Sequence, residues 1–279
     1  MGKIFQVFWL GVLVFPSVAS ALIRPAMDDV NWHFKGDRFY CQLELPITDL
    51  GHAFFLRHAG EPLAFTLAPD VPTPKNLNVN VMWGNAPWSH LSEGVPYEAS
   101  AEHGQFVLDE KPSQGLLDAL DQGLWGYIFW GNQHFYAPSI HWQKAASQFR
   151  HCLMALAPMS YRQARDQVIF YRMGQRALDL AQRQHLTKLA GYIVLDKSIR
   201  AVLVDSYTDN TGSHLGNIEL SRERAADVTA ALVEAGVPKH LIQTRANGDR
   251  YPSTKNASTK QQDLNRRVTV RVLRKTNGT

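Results

Sequence analysis

Asp209 and Arg224 are the residues of this 279-residue chain whose types and spacing best suit recognition chemistry. Both lie in residues 207–225, YTDNTGSHLGNIELSRERA, the carboxylate before and the guanidinium after the start of a predicted helix. A carboxylate at such a turn can accept hydrogen bonds from an ammonium group, and a guanidinium offers a planar fork that matches a carboxylate in bidentate fashion. Together they would clamp a ligand that carries both an ammonium and a carboxylate. The blander reading is that Asp209 orders the turn and Arg224 is a solvated helix charge, since most surface charges are weakly paired.

Two elements must position them. Residues 198–207 (SIRAVLVDSY) are nearly continuously apolar and rich in β-branched side chains, which predicts a strand buried on both faces. Asp209-Asn210-Thr211-Gly212 supply turn residues. Asn217 is the expected N-cap of the following helix, in which Ile218, Leu220, Ala225, Val228, Ala231 and Leu232 recur at near-helical spacing until Gly236 ends the run. Upstream, residues 168–173 (VIFYRM) predict a strand and 174–195 a helix. Residues 241–246 and 267–273 supply two further strands, and 247–264, rich in Gly, Pro, Ser, Thr, Asn and Lys, read as a long polar loop beside the site. The order is βαβαββ, an α/β sandwich with helices covering one face of a mixed sheet.

The series Thr208-Asp209-Asn210-Thr211-Gly212, Asn217, Leu220-Ser221, Arg224-Ala225, Gly236, Gly248 and Asn265-Arg266-Arg267-Val268 resembles the motifs of OmpA-like C-terminal domains, over about residues 167–274. The resemblance implies that Asp209 and Arg224 bind the diaminopimelate of peptidoglycan, with Thr208, Asn217, Arg266 and Arg267 lining the site. Diaminopimelate ends in the zwitterion that the clamp would fit. A noncovalent cell-wall anchor is the function implied, without catalytic residues, metal or cofactor.

Residues 1–21 combine Lys3, an apolar run and Ala19-Ser20-Ala21, which together predict a secretory signal peptide and a mature chain from Leu22. The apolar run is shorter than the roughly 20 residues a spanning helix needs. No cysteine follows the cleavage site to accept a lipid, so the expectation is a periplasmic protein without a membrane span. The formal net charge of +4 would otherwise suggest nucleic acid, but export removes that partner. Lys and Arg gather toward the carboxyl end, where carboxylate-rich or phosphate-rich wall polymers are the natural counterpart.

Cys41 and Cys152 are the only cysteines, and an even pair in an exported chain invites a disulfide. Chain-entropy arithmetic for so long a loop gives about 4–5 kcal/mol of stabilisation. Two buried free thiols are the alternative; a metal site would have only His151 as a neighbouring ligand.

The chain divides by composition: all seven Trp lie at or before Trp142. Expected domains are 22–157 and 158–279, giving a two-domain α+β protein. In the first, runs at 39–45, 53–57, 63–67, 77–83, 104–108 and 126–129, punctuated by turn residues, predict an all-β barrel or sandwich. Residues 139–156 then predict a helix, N-capped by Ser139 and carrying Cys152. Trp83, Trp88, Trp125, Trp130, His134 and His141 match no metal-ligand motif and read better as core or interface aromatics than as a hydrolase or sugar site.

Cys41-Gln42-Leu43, Pro46-Ile47, Gly51, Ala53, Phe54 and Phe55 resemble the opening of the MotY family of flagellar motor T-ring proteins, and Cys152 falls where that family places its second cysteine. The resemblance implies a β domain that docks to the flagellar basal body, recruits a MotX-like partner and gathers stator units, while the carboxyl domain holds peptidoglycan. Two other function classes stand beside it: a general envelope tether without a flagellar role, and a wall-lytic enzyme targeted by its carboxyl domain.

Overall fold

The computed structural model describes residues 27–74, 76–89 and 94–275. The signal-peptide expectation for 1–21 lies outside the described residues. Two hydrophobic cores organise the chain.

The amino-terminal lobe contains β1 (His33–Gly36), β2 (Tyr40–Ile47), β3 (Gly51–His58), β4 (Ala64–Pro69), β5 (Val79–Gly84), β6 (Tyr97–Glu98), β7 (Ser100–Glu102), β8 (Gln105–Leu108), α1 (Glu110–Asp121), β9 (Trp125–Trp130), β10 (Gln133–Ala137) and α2 (Trp142–Ala155). One sheet runs β1-β2-β3-β4-β8-β7 and the other β10-β9-β5-β6, with every pairing antiparallel. Alternation sends Cys41, Leu43, Leu45 and Ile47 of β2 inward, where they join Phe55, Phe65, Val81, Ile128 and Phe135 from both sheets. Neither sheet closes on itself among the described residues, which decides for the sandwich over the barrel.

The lobe is not all-β. Helix α1 packs against β4, β5 and β9, burying Leu116, Leu117 and Leu120. Its Pro112 and Gly115 look like breakers in the sequence, but a proline in the first turn forfeits no intrahelical hydrogen bond. Ser113 on the same helix is fully buried, accepting from Phe65 N at 2.8 Å and donating to Leu108 O at 2.9 Å, which ties α1 to β4 and β8.

Helix α2 buries Trp142, Ala145, Ala146, Phe149 and Cys152, a single stripe that packs on β1 and β2. Burying a side chain the size of Phe149 contributes about 2–3 kcal/mol. The indole N–H of Trp142 donates to Asp121 at 2.6 Å. Its cap is His141, in the left-handed region at φ 53°, rather than Ser139; the His141 ring nitrogen lies 2.9 Å from Val30 O. Cys152 forms a disulfide with Cys41, Cα atoms 5.9 Å apart, pinning α2 to β2. Trp125, Tyr127 and Tyr136 form a smaller cluster on the outer side of the four-stranded sheet, while Trp88 stands 65% exposed against the edge of Trp125.

The carboxyl-terminal lobe contains α3 (Tyr161–Ala164), β11 (Asp166–Phe170), α4 (Leu180–Leu195), β12 (Ile199–Tyr207), α5 (His214–Glu234), β13 (Ile242–Ala246), α6 (Thr259–Asn265) and β14 (Arg267–Arg274). Its sheet order is β11-β14-β12-β13, parallel only between β12 and β13. Val202 and Val204 of β12 and Val268, Val270 and Val272 of β14 point into the core against α4 and α5, which gives the expected mixed α/β sandwich. Helix α4 begins at Leu180, not near 174, because Asp179 and Gln182 form a capping box there. Helix α5 is capped by Ser213, whose hydroxyl accepts from Gly216 N at 3.1 Å; Asn217 sits inside the first turns instead of capping them. The segment read as a polar loop contains α6, capped by Ser258. Among the described residues no helix is long and apolar enough to cross a membrane.

The lobes share packing where β2 begins and β3 ends. Ala59 is buried in the second core and Phe39 packs against it, its ring 5.9 Å from that of Tyr192. Backbone bonds run from Ala59 N to Phe39 O (2.7 Å) and from Ala157 N to Arg38 O (2.8 Å). Arg274 stacks on Tyr161 at 3.9 Å and bonds Asp196 at 2.8 Å and the Tyr192 hydroxyl at 2.6 Å. Burial alone would raise the Asp196 carboxyl, but hydrogen bonds from Ser198, Tyr192 and Arg274 outweigh it and hold it below the usual carboxylate range.

Candidate functional site: a buried charge cluster at the exit of β12

Strand β12 ends at Tyr207 and delivers Thr208 and Asp209, 2% and 6% exposed, to the mouth of the sheet. The Thr208 N–H donates to Gly248 O at 2.8 Å, and the Gly248 N–H donates to Ser221 Oγ at 3.0 Å, so α5 is laced to the strand exit through that glycine. Gly248 adopts φ +60°, and a Cβ there would meet Ile218 Cδ1 at 2.8 Å. Gly248→Ala is expected to cost about 1–2 kcal/mol from the left-handed backbone alone; a melting curve checks it, and an unshifted transition would show that the loop relaxes freely.

Asn217, Ser221 and Arg224 lie one helical turn apart on the buried face of α5. Arg224 is fully buried: Nε and Nη2 donate to Gln175 O at 3.1 and 2.6 Å, and its guanidinium carbon lies 4.6 Å from the Tyr171 ring centre. Burial lowers its pKa, opposed by nearby Tyr171 and Asp209, but a guanidinium remains charged. Asp209 is ion-paired with Arg266 Nη1, and its other oxygen accepts from Thr211 N at 3.0 Å. Arg266, 5% exposed, also pairs with Asp263 and donates from Nε to Tyr171 O at 3.3 Å.

Thr208, Asp209, Asn217, Arg224 and Arg266 are thus drawn to one end of the lobe. Arg267 is not part of that group. It opens β14 opposite Tyr207, and alternation turns it to the sheet face away from the helices, where its guanidinium stacks on Tyr207 at 4.0 Å and reaches Tyr251 O at 3.3 Å. Asn265, fully buried, organises the neighbouring loop by accepting from Ser253 N and Thr254 N at 2.8 and 3.2 Å.

Sequence reasoning missed Tyr171, Gln175 and Asp263. Gln175 contributes only its carbonyl, which no side-chain pattern reveals; Asp263 sits three residues before Arg266 on the unforeseen α6, the one local signal that could have found it.

The unused hydrogen-bonding capacity decides what the cluster can do. Arg224 Nη1, Asn217 Nδ2 and the Tyr171 hydroxyl are buried without a partner among the described residues. Two of these groups are pure donors, suited to an incoming carboxylate. Asp209, by contrast, is shared with Arg266, so an ammonium could engage it only in competition or in common with that guanidinium. A cleft of ≈480 Å³ opens beside the cluster and shares Tyr171, Gln175, Asp263 and Arg266 with it.

Comparison with known proteins finds two family matches along the chain. Residues 24–158 match the MotY N-terminal domain, and residues 170–266 match the OmpA family. The sodium-type flagellar protein MotY of Vibrio parahaemolyticus is 26% identical over 242 residues, covering 82% of each chain. The peptidoglycan-binding protein ArfA of Mycobacterium tuberculosis is 42% identical over 69 residues, 25% of this chain and 21% of its own length. Among solved structures, the C-terminal domain of Helicobacter pylori MotB is 24% identical with a TM-score of 0.36, covering 39% of this chain and 84% of that one.

Proposed function

We propose, from the premise that this chain joins a MotY N-terminal domain to a domain of the OmpA family, that it is a non-enzymatic periplasmic component of the flagellar motor that grips peptidoglycan. The carboxyl lobe holds the wall by a diaminopimelate end, its carboxylate on Arg224 and Asn217 and its ammonium on Asp209. The amino-terminal lobe meets the basal body and a MotX-like partner, building a T ring that recruits and braces stator units. A brace needs strong static contacts and no turnover, and the site offers hydrogen-bond donors rather than an activated nucleophile.

The observation that carries the reading is the buried donor pair Arg224 Nη1 and Asn217 Nδ2, without partners among the described residues, beside the Asp209–Arg266 ion pair. Buried donors normally find partners, and a ligand carboxylate supplies one here. Deleting the protein is expected to leave filaments assembled while swimming is lost, with the protein copurifying with basal bodies and sedimenting with sacculi in wild type. Normal swimming of the deletion strain, or release of soluble fragments from sacculi by the purified protein, would overturn the proposal.

A further inference from the structure

We infer that the groove between the free edge of β1 and helix α2 is a docking site for an extended, acidic segment of a partner protein, which adds to the six-stranded sheet as a further strand. Among the described residues β1 pairs with β2 alone, so one row of its backbone N–H and C=O groups has no strand partner there. Helix α2 runs alongside, and between the two lie cavities of ≈650 and ≈660 Å³ that share Phe34 and Gln148 and so form one continuous trough past residues 31–38. An open edge flanked by a helix is the arrangement that strand addition uses: main-chain bonds hold the peptide and the flanking wall selects its side chains.

Charge selects the occupant. Arg38 and Lys144 line the trough, both exposed, and neither is paired with a carboxylate among the described residues. The one acid lining it among the described residues, Asp37, is turned back onto its own chain, with Oδ1 accepting from Phe39 N and Tyr40 N at 2.6 and 3.2 Å. Lys35 on β1 is already neutralised by Glu44 at 2.9 Å. The uncompensated charge facing an added strand is therefore cationic, which favours glutamate or aspartate on the incoming segment.

The disulfide sets the width. Cys152 lines the trough from α2 and is bonded to Cys41 on β2, the neighbour of β1. Gly36 lies against that bond: a Cβ there would come within 2.9 Å of Cys152 Sγ and 2.8 Å of Tyr40 O. The wall and the edge are thus held at a fixed separation before any partner arrives, which lowers the ordering cost of docking.

The test uses the oxidised mature protein with two end-capped synthetic octapeptides, one alternating valine with glutamate and one alternating valine with lysine. Amide exchange at residues 33–36 should slow in the presence of the glutamate peptide, which should bind at least tenfold more tightly than the lysine peptide. Arg38→Glu combined with Lys144→Glu, both exposed positions, should reverse the preference. Gln148→Trp, which fills the trough from an exposed position of α2, should abolish binding of both with an unchanged melting curve. Unchanged exchange at residues 33–36 at saturating glutamate peptide, equal binding of the two peptides, or equal slowing by inorganic polyphosphate would overturn the inference, the last reassigning the cations to polyanions in general.

Discussion

Replacing Arg224 by alanine is expected to reduce binding to diaminopimelate-containing sacculi by more than tenfold. Loss of one hydrogen-bonded charge partner in a buried contact costs about 2–5 kcal/mol. Arg224→Lys should fail nearly as badly. A single ammonium cannot keep both bonds to Gln175 O, cover the Tyr171 ring and still present the free Nη1 edge. Because Arg224 is fully buried, folding needs its own control. Asn217→Ala deletes an unpartnered donor without breaking any side-chain hydrogen bond found among the described residues, so it should weaken binding while leaving the melting transition in place. Asp209→Ala should also lose binding, and with it the anchor of Arg266. Walls with lysine at the cross-linking position lack the distal carboxylate and should bind less well. Sacculus pull-downs with circular dichroism decide; folded Arg224 and Asn217 variants that sediment like wild type would refute the assignment.

Cys152→Ser is expected to cost the amino-terminal lobe about 4–5 kcal/mol, given a closed loop with a sequence separation of 111. That is a large share of the 5–15 kcal/mol typical of a domain. The loss should appear as low periplasmic abundance and a much earlier melting transition, with Cys41→Ser giving the same result. The charge cluster at the exit of β12 draws nothing from the disulfide, so carboxyl lobes that survive should still sediment with sacculi. A variant melting within a degree or two of wild type would show the bond to be dispensable.

What the sequence made legible was what local physics determines. The strand of 199–207 was readable because residues 198–207 run nearly continuously apolar and are rich in β-branched side chains, and helix α2 because Ile140, Phe149, Leu153 and Leu156 keep helical register. Asn217 was misplaced as a cap because the true first turn, His214-Leu215-Gly216, carries no buried apolar residue and so hides the start of the helix. Helices α1 and α6 were obscured by Pro112, Gly115 and the polar composition around Ser258. The pairing of Asp209 with Arg266 joins residues 57 apart, and no local pattern encodes which of several arginines a carboxylate will meet once the sheet has assembled.

The way Phe39 and Ala59 enter the second core has a mechanical meaning. A flexible linker would let each lobe pivot, and any load on one would be dissipated as reorientation. Here the neighbouring turns of the β1–β2 and β3–β4 hairpins are wedged into the other lobe, and the bonds from Ala157 to Arg38 and from Gln163 to Gly60 clamp either side of the wedge. Tension applied to the carboxyl-terminal lobe would be loaded in parallel across the Phe39–Tyr192 packing and two backbone carbonyls, not through the chain alone. The molecule is therefore a stiff strut rather than a rope, and a cut between its halves would leave a raw apolar face on each piece where the load path used to run.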